Sequence, residues 1–127
     1  MNTPVTYDIP ALPPNNNTYS QAVLLGDLLF LSGQLGMDPV SRTLVKGGIQ
    51  AQTRQALDNI RIVLEAAGSR LDHVGKVNIF LTDFSLLGLM NEVYAQYFPH
   101  RPAKTTVEIA RLDKDALIEI EVVALRR

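Results

Sequence analysis

The stretch that most limits what this chain can fold into is "LIEIEVVAL", Leu117 to Leu125. Side chains of a β-strand point alternately to the two faces of a sheet. Ile118, Ile120, Val122 and Ala124 therefore share one wholly apolar face, which other elements must cover. Glu119 and Glu121 point the other way, beside Leu117, Val123 and Leu125. That second face is too apolar for open water and too charged for a sealed core, because an unpaired buried carboxylate is costly. The strand thus predicts a sheet covered by helices on one side, with a second side that calls for a partner. A homo-oligomer formed through that second side is the expectation.

The covering helices are legible. In "IQAQTRQALDNIRIVLEAAG", Ala56, Leu57, Ile60, Val63, Leu64 and Ala67 recur at three- and four-residue steps and make one apolar stripe. Gly68 is a stop signal. "TDFSLLGLMNEVYAQYF" reads as a second helix, with Asp83 or Ser85 able to cap it and Pro99 to end it. "YSQAVLLGDLLFLSG" reads as a hairpin turning at Gly26-Asp27, and "HVGKVNIFL" and "KTTVEIA" as further strands. The turn-forming "RLDKDA" leads into the last one. The order is ββαβαββ, an α+β domain with two helices on one face of a sheet. Residues 1–18, with four prolines and four asparagines, read as an irregular lead-in, and residues 19–127 as the single domain.

Charge and composition narrow the function classes. A net charge of -1 over 127 residues offers no basic face for nucleic acid. Neither a transmembrane run nor a basic amphipathic helix is visible, so no membrane partner is expected. The sequence has no cysteine, which excludes thiolate chemistry and cysteine-held metals, and no credible metal cluster stands out. An N-terminus without a signal-peptide pattern makes cytoplasmic residence the default expectation.

The residue that asks for an explanation is Lys104, delivered by "RPAK" to the mouth of a strand. A lysine there is ordinarily a solvated edge charge, and Glu119 and Glu121 can be plain strand charges. Tyr19 can be packing, Gly33 and Asn91 structural, and His73 and His100 surface residues. Arg101 is a second candidate partner for an anion.

Taken together, several motifs change that balance. "YSQAV", "SGQ", "DP", "GGI", "QTRQALDNI", "VLEAAG", "FLTD", "NEVYAQYF", "TVEIARL" and "IEIEVVA" stand in the order seen in the Rid family, also called YjgF or reactive-intermediate deaminases. The chain resembles that family from about Tyr19 to its end. The resemblance implies a chorismate-mutase-like (ferredoxin-like) fold assembled as a homotrimer with clefts between subunits. It also implies hydrolysis, with no cofactor and no metal, of 2-imino acids or their enamine tautomers to 2-keto acids and ammonia.

By the same resemblance, the substrate-clamping arginine of a "PAR" motif falls on Lys104 of "PAK", and the water-positioning glutamate of "IEIE" on Glu119. Tyr19 matches a tyrosine lining the cleft, and Gly33 a loop that approaches the ligand. Thr106 stands where a cysteine is frequent, at a position that acts through its backbone carbonyl, and Asn91 matches a helix position near the pocket. The chemistry agrees: a carboxylate can orient water and shuttle its proton, and a cation can fix a small carboxylate metabolite at attack distance. Lysine is a departure, since it presents a hydrated point charge where arginine presents a planar fork. Three readings follow: a weaker clamp for the same substrates, a deaminase for a different unsaturated amino acid, or a trimeric small-carboxylate-binding or regulatory protein without turnover. A ribonuclease role ranks behind them for want of a basic face.

Overall fold

A computed structural model describes residues 3–12 and 18–127 of the chain. The elements are β1 (Val5–Tyr7), β2 (Ala22–Leu25), β3 (Leu28–Leu31), β4 (Gln34–Leu35), α1 (Gly48–Ala66), β5 (Val74–Leu81), α2 (Leu87–Tyr97), β6 (Ala103–Glu108) and β7 (Ile118–Leu125). One mixed sheet runs in the order β1-β2-β3-β7-β5-β6, and β4 also pairs with β7. Among the described strands only β5 and β6 pair in parallel, as the α2 crossover between them requires.

The hairpin forms as its sequence predicts. Leu25 pairs with Leu28 around Gly26-Asp27, and Gly26 takes a φ of 61° that two-residue loops of this kind demand. The apolar stripe of α1 packs against the apolar row of β7, and Ala56, Leu57, Ile60, Val63, Leu64, Ile118 and Ile120 are all fully buried. Asp83 accepts a hydrogen bond from the Ser85 amide at 2.8 Å, capping the 3-10 turn that leads into α2.

Three polar side chains inside this core act as fasteners. Gln52 Oε1 accepts from the Leu117 amide at 2.9 Å, and Asn59 Nδ2 donates to the Met37 carbonyl at 2.9 Å. Thr53 Oγ1 donates to the Ile49 carbonyl one turn back. A buried polar group left without a partner is costly, so these bonds fix where β7 starts and where the β4 loop lies on α1. Both segments carry site residues.

One feature corrects the sequence reading. The N-terminal lead-in is not wholly irregular: Val5–Tyr7 pairs antiparallel with β2. Its β-branched and aromatic residues suit a pleated edge, and the turn residues around them masked that signal. Residues 13–17 of the lead-in, and residues 1–2, lie outside the described residues. β6 and β7, though consecutive in sequence, are not neighbours, because β5 lies between them and pairs with both.

The face of the sheet away from the helices is apolar and open. Leu25, Leu28, Phe30 and Leu125 lie there at 40–49% exposure, and the register places Leu25 beside Leu28, Leu28 beside Leu125 and Phe30 beside Val123.

Candidate functional site

Glu119 sits in β7 with Leu35 of β4 on one side and Phe80 of β5 on the other. It points to the open face, opposite to the buried Ile118 and Ile120. There it lines a cavity of about 150 Å³ together with Tyr19, Gly33, Gln34, Asp113 and Lys114. A shallower recess continues from it past Ser32 and Glu121. The carboxyl group lies directly across the Gly33 backbone. A Cβ added at Gly33 would stand 2.7 Å from Glu119 Cδ and 2.8 Å from its Oε2, closer than real contacts allow. The glycine is therefore what lets the carboxyl occupy its place.

Burial raises the Glu119 pKa above its ordinary value, and the negative charges of Glu121 and Asp113 raise it further. Glu121 is itself held by Asn78, whose Nδ2 donates to it at 3.0 Å. Lys114 reaches the cavity from a turn in which both it and Asp115 take a φ of 57°, a left-handed conformation that costs non-glycine residues energy.

Lys104 builds a second centre. Its register partner on β5 is Val77, whose own partner on β7 is Val122, and both valines face the helices. Lys104 therefore lies on the helix side of β6, at the open edge of the sheet. Its Nζ donates to Asn91 Oδ1 at 2.7 Å and stands 4.5 Å from the centre of the Tyr94 ring. Both partners come from α2 and are three residues apart, so they share a helix face. Partial shielding by these groups lowers the Lys104 pKa. Thr106 follows on the same face. Its hydroxyl and that of Tyr94 are buried without a hydrogen-bond partner among the described residues. Burial pushes the Tyr94 hydroxyl up to about 12.

The six residues singled out from sequence thus fall into two groups. Tyr19, Gly33 and Glu119 converge on the cavity of the open face. Lys104, Asn91 and Thr106 converge at the outer edge on the helix side. Within one chain the sheet separates the two groups, so a small molecule cannot touch both. Sequence reasoning passed over Asp113, Lys114 and Tyr94. The first two read only as turn formers in "RLDKDA", whereas Tyr94 was recoverable from its one-turn spacing to Asn91. His100 is exposed and hydrogen-bonds the Val74 carbonyl at 2.9 Å, on neither centre. Among the described residues no three His, Cys, Asp or Glu side chains group as metal ligands, and no helix is long and apolar enough to cross a membrane.

Comparison with known proteins adds an independent constraint. The profile of a family described as Endoribonuclease L-PSP matches residues 10–126. A RutC family protein of Pyrococcus horikoshii is 50% identical over 109 residues, 85% of this chain and 86% of that protein. The 2-iminobutanoate/2-iminopropanoate deaminase of Homo sapiens is 43% identical over 109 residues, 85% of this chain and 80% of its own. The crystal structure of YyfA from Yersinia pestis, described as a member of the conserved Rid protein family, superposes with a TM-score of 0.93. It is 38% identical and covers 97% of this chain and 99% of its own.

Proposed function

The chain belongs to the Rid family, and from that premise we propose that it is a cofactor-independent deaminase of small 2-imino acids and their enamine tautomers. The observation that carries this reading is Glu119: a half-buried carboxyl with a raised pKa, lining a cavity of the open face beside Tyr19 and Gly33. A proton-transfer group works best with a pKa close to the working pH, and burial moves Glu119 in that direction. Glu119 takes a proton from water as the water oxygen bonds to the imine carbon and the C=N π pair moves to nitrogen. It then returns the proton to nitrogen, which gives a carbinolamine; the carbinol O–H proton next passes by way of Glu119 to the amino nitrogen, and as the C–N bond breaks the oxygen pair forms the C=O bond, so ammonia departs and a 2-keto acid remains.

The anchor for the substrate carboxylate is Lys104, and the reading requires that it come from a neighbouring copy. The separation of the two centres by the sheet supports this, as does the apolar open face with Leu25, Leu28, Phe30 and Leu125. Burying that face in a homotrimer would bring the Lys104 edge of one subunit to the Glu119 cavity of the next. A cytoplasmic setting is part of the proposal.

A second reading has one observation in its favour. Lys104 replaces the arginine fork expected from the family pattern, and losing one charge-assisted hydrogen bond costs roughly 1.5–3 kcal/mol. A small-acid-binding protein without turnover would tolerate that loss more readily than an enzyme. The family description as an endoribonuclease finds little support here, since a net charge of -1 offers no surplus of cations to phosphates.

The two readings separate in one assay. 2-Iminobutanoate is generated in situ by an amino-acid-oxidising or dehydrating enzyme, and 2-oxobutanoate formation is followed with and without this protein. The proposal expects acceleration by the wild type. Inert wild type combined with active Lys104→Arg would leave the binding reading or a deaminase for a different unsaturated amino acid.

A further inference from the structure

Glu119 shares its surroundings with two other carboxyl groups, which are held in different ways. Glu121 stands two residues along the same strand, and Asn78 Nδ2 donates to it at 3.0 Å. Asp113 comes from outside the sheet, on the single turn Asp113–Asp115 that leads into β7. The Ala116 amide closes that turn by donating to the Asp113 carbonyl at 3.1 Å, and Lys114 and Asp115 take their left-handed φ within it. The turn thereby sets Asp113 in the wall of the same cavity, of about 150 Å³, that Glu119 lines. Among the described residues no hydrogen bond or ion pair engages the Asp113 carboxylate. The other titratable groups around Glu119 are Tyr19, before β2, and Lys114, on the same turn. Its strand neighbours Leu35 and Phe80 carry no charge, and Lys76 of β5 is turned to Thr105 at 2.8 Å. Beyond burial, the charges that act on Glu119 are those of Glu121 and Asp113.

A base that works beside a cation faces a conflict. The ammonium of a neighbouring Lys104, which the deaminase reading brings to this cavity, favours the ionised form of Glu119 and so makes it a weaker base. A second negative charge in the cavity wall opposes that effect. We propose that Asp113 is a positioning residue for the deaminase reaction: from the wall of the cavity its negative charge keeps Glu119 a base strong enough to take the proton of water. The inference rests on the deaminase reading for the reaction it serves. The coupling between the two carboxyl groups rests on the turn and the shared cavity, and holds whether or not turnover follows.

The test reads Glu119 directly as well as through turnover. The full-length protein is labelled with carbon-13 at the glutamate side-chain carboxyl, and the Glu119 resonance is assigned by its loss in Glu119→Gln. Its titration is then followed in wild type, Asp113→Asn and Asp113→Glu. Asp113→Asn, nearly isosteric, is expected to move the Glu119 midpoint to lower pH, and Asp113→Glu to stay near wild type. The acid limb of kcat/KM for 2-iminobutanoate should move the same way. At a pH on that limb Asp113→Asn should outrun wild type about twofold to fivefold, the usual range for a partly exposed charge pair. On the plateau it should fall behind, as the weaker base. Asp113 is exposed, so salt at about 1 M should narrow the difference in midpoint. A role in folding alone would lower activity at every pH and leave the limb where it was. An unmoved midpoint in Asp113→Asn, an equal displacement in Asp113→Glu, or an acid limb that stays while the midpoint moves would each overturn the proposal. Midpoints that move as expected, with no turnover in any variant or the wild type, would overturn the deaminase reading and leave the coupling of Asp113 to Glu119 standing.

Discussion

Glu119→Gln is expected to lower kcat for 2-imino acid hydrolysis by about 10²–10⁴, the usual worth of a positioned proton-transfer group. The proposed carboxylate anchor at Lys104 stays intact, so KM should change little. The same substitution should also stabilise the protein at neutral and alkaline pH. In the folded chain the Glu119 pKa is raised, by burial first and then by Glu121 and Asp113. The protonated acid is therefore favoured by folding. Its contribution is fully present below the unfolded carboxylate value and is lost as pH rises through the folded pKa. Glutamine resembles the protonated acid at every pH. Thermal melts near pH 8 should therefore show the variant above wild type. Melts below about pH 4, where the unfolded chain is also largely protonated, should bring the two together. A variant that keeps turnover would remove Glu119 from the chemistry. A melting difference independent of pH would show that its charge is not what burial penalises.

Gly33→Ala should have the next largest effect, for a purely steric reason. The new Cβ would lie 2.7 Å from Glu119 Cδ, and the carboxyl is the far end of a flexible side chain, so the carboxyl moves and the backbone stays. A displacement of about 1 Å at a reacting group can cost on the order of 10² in rate. Stability should stay within about 1 kcal/mol of wild type, because alanine restricts the unfolded chain more than glycine does. Steady-state kinetics beside a denaturant melt would check both halves. Full activity in Gly33→Ala would mean that the position of the carboxyl against this loop does not matter. A collapse in stability would mean that the glycine serves folding instead.

How far the sequence carried the account depends on whether each signal was local. The alternation from Ile118 to Ala124 and the stripe from Ala56 to Ala67 are local patterns, and both faces are buried as those patterns require. The hairpin at Gly26-Asp27 is equally local. Strand order is not: nothing in "KTTVEIA" says that it pairs with "HVGKVNIFL" and leaves "LIEIEVVAL" to the far side of it. That order decides on which side of the sheet Lys104 emerges. The motif resemblance could name Lys104 and Glu119, but only the register shows that they leave the sheet on opposite faces. The short β1 was obscured by the prolines and asparagines around it. Tyr94 and Asp113 escaped notice because each looks ordinary in its own segment, one as helix packing and the other as a turn residue. Their roles depend on what a distant segment brings beside them: Lys104 over the Tyr94 ring, and Glu119 within reach of the Asp113 charge.

The account as a whole requires that Lys104 of one subunit and Glu119 of another serve the same substrate. Subunit complementation tests this most directly. Lys104→Ala and Glu119→Gln are each purified and assayed alone, then co-expressed with different tags, and the mixed assemblies are isolated through both tags. Each parent should be nearly inactive. A closed mixed trimer has one of its three interfaces joining an intact Lys104 to an intact Glu119, so these assemblies should regain about a third of wild-type activity. Mixed assemblies no more active than their parents, with wild type active in the same assay, would contradict the shared site.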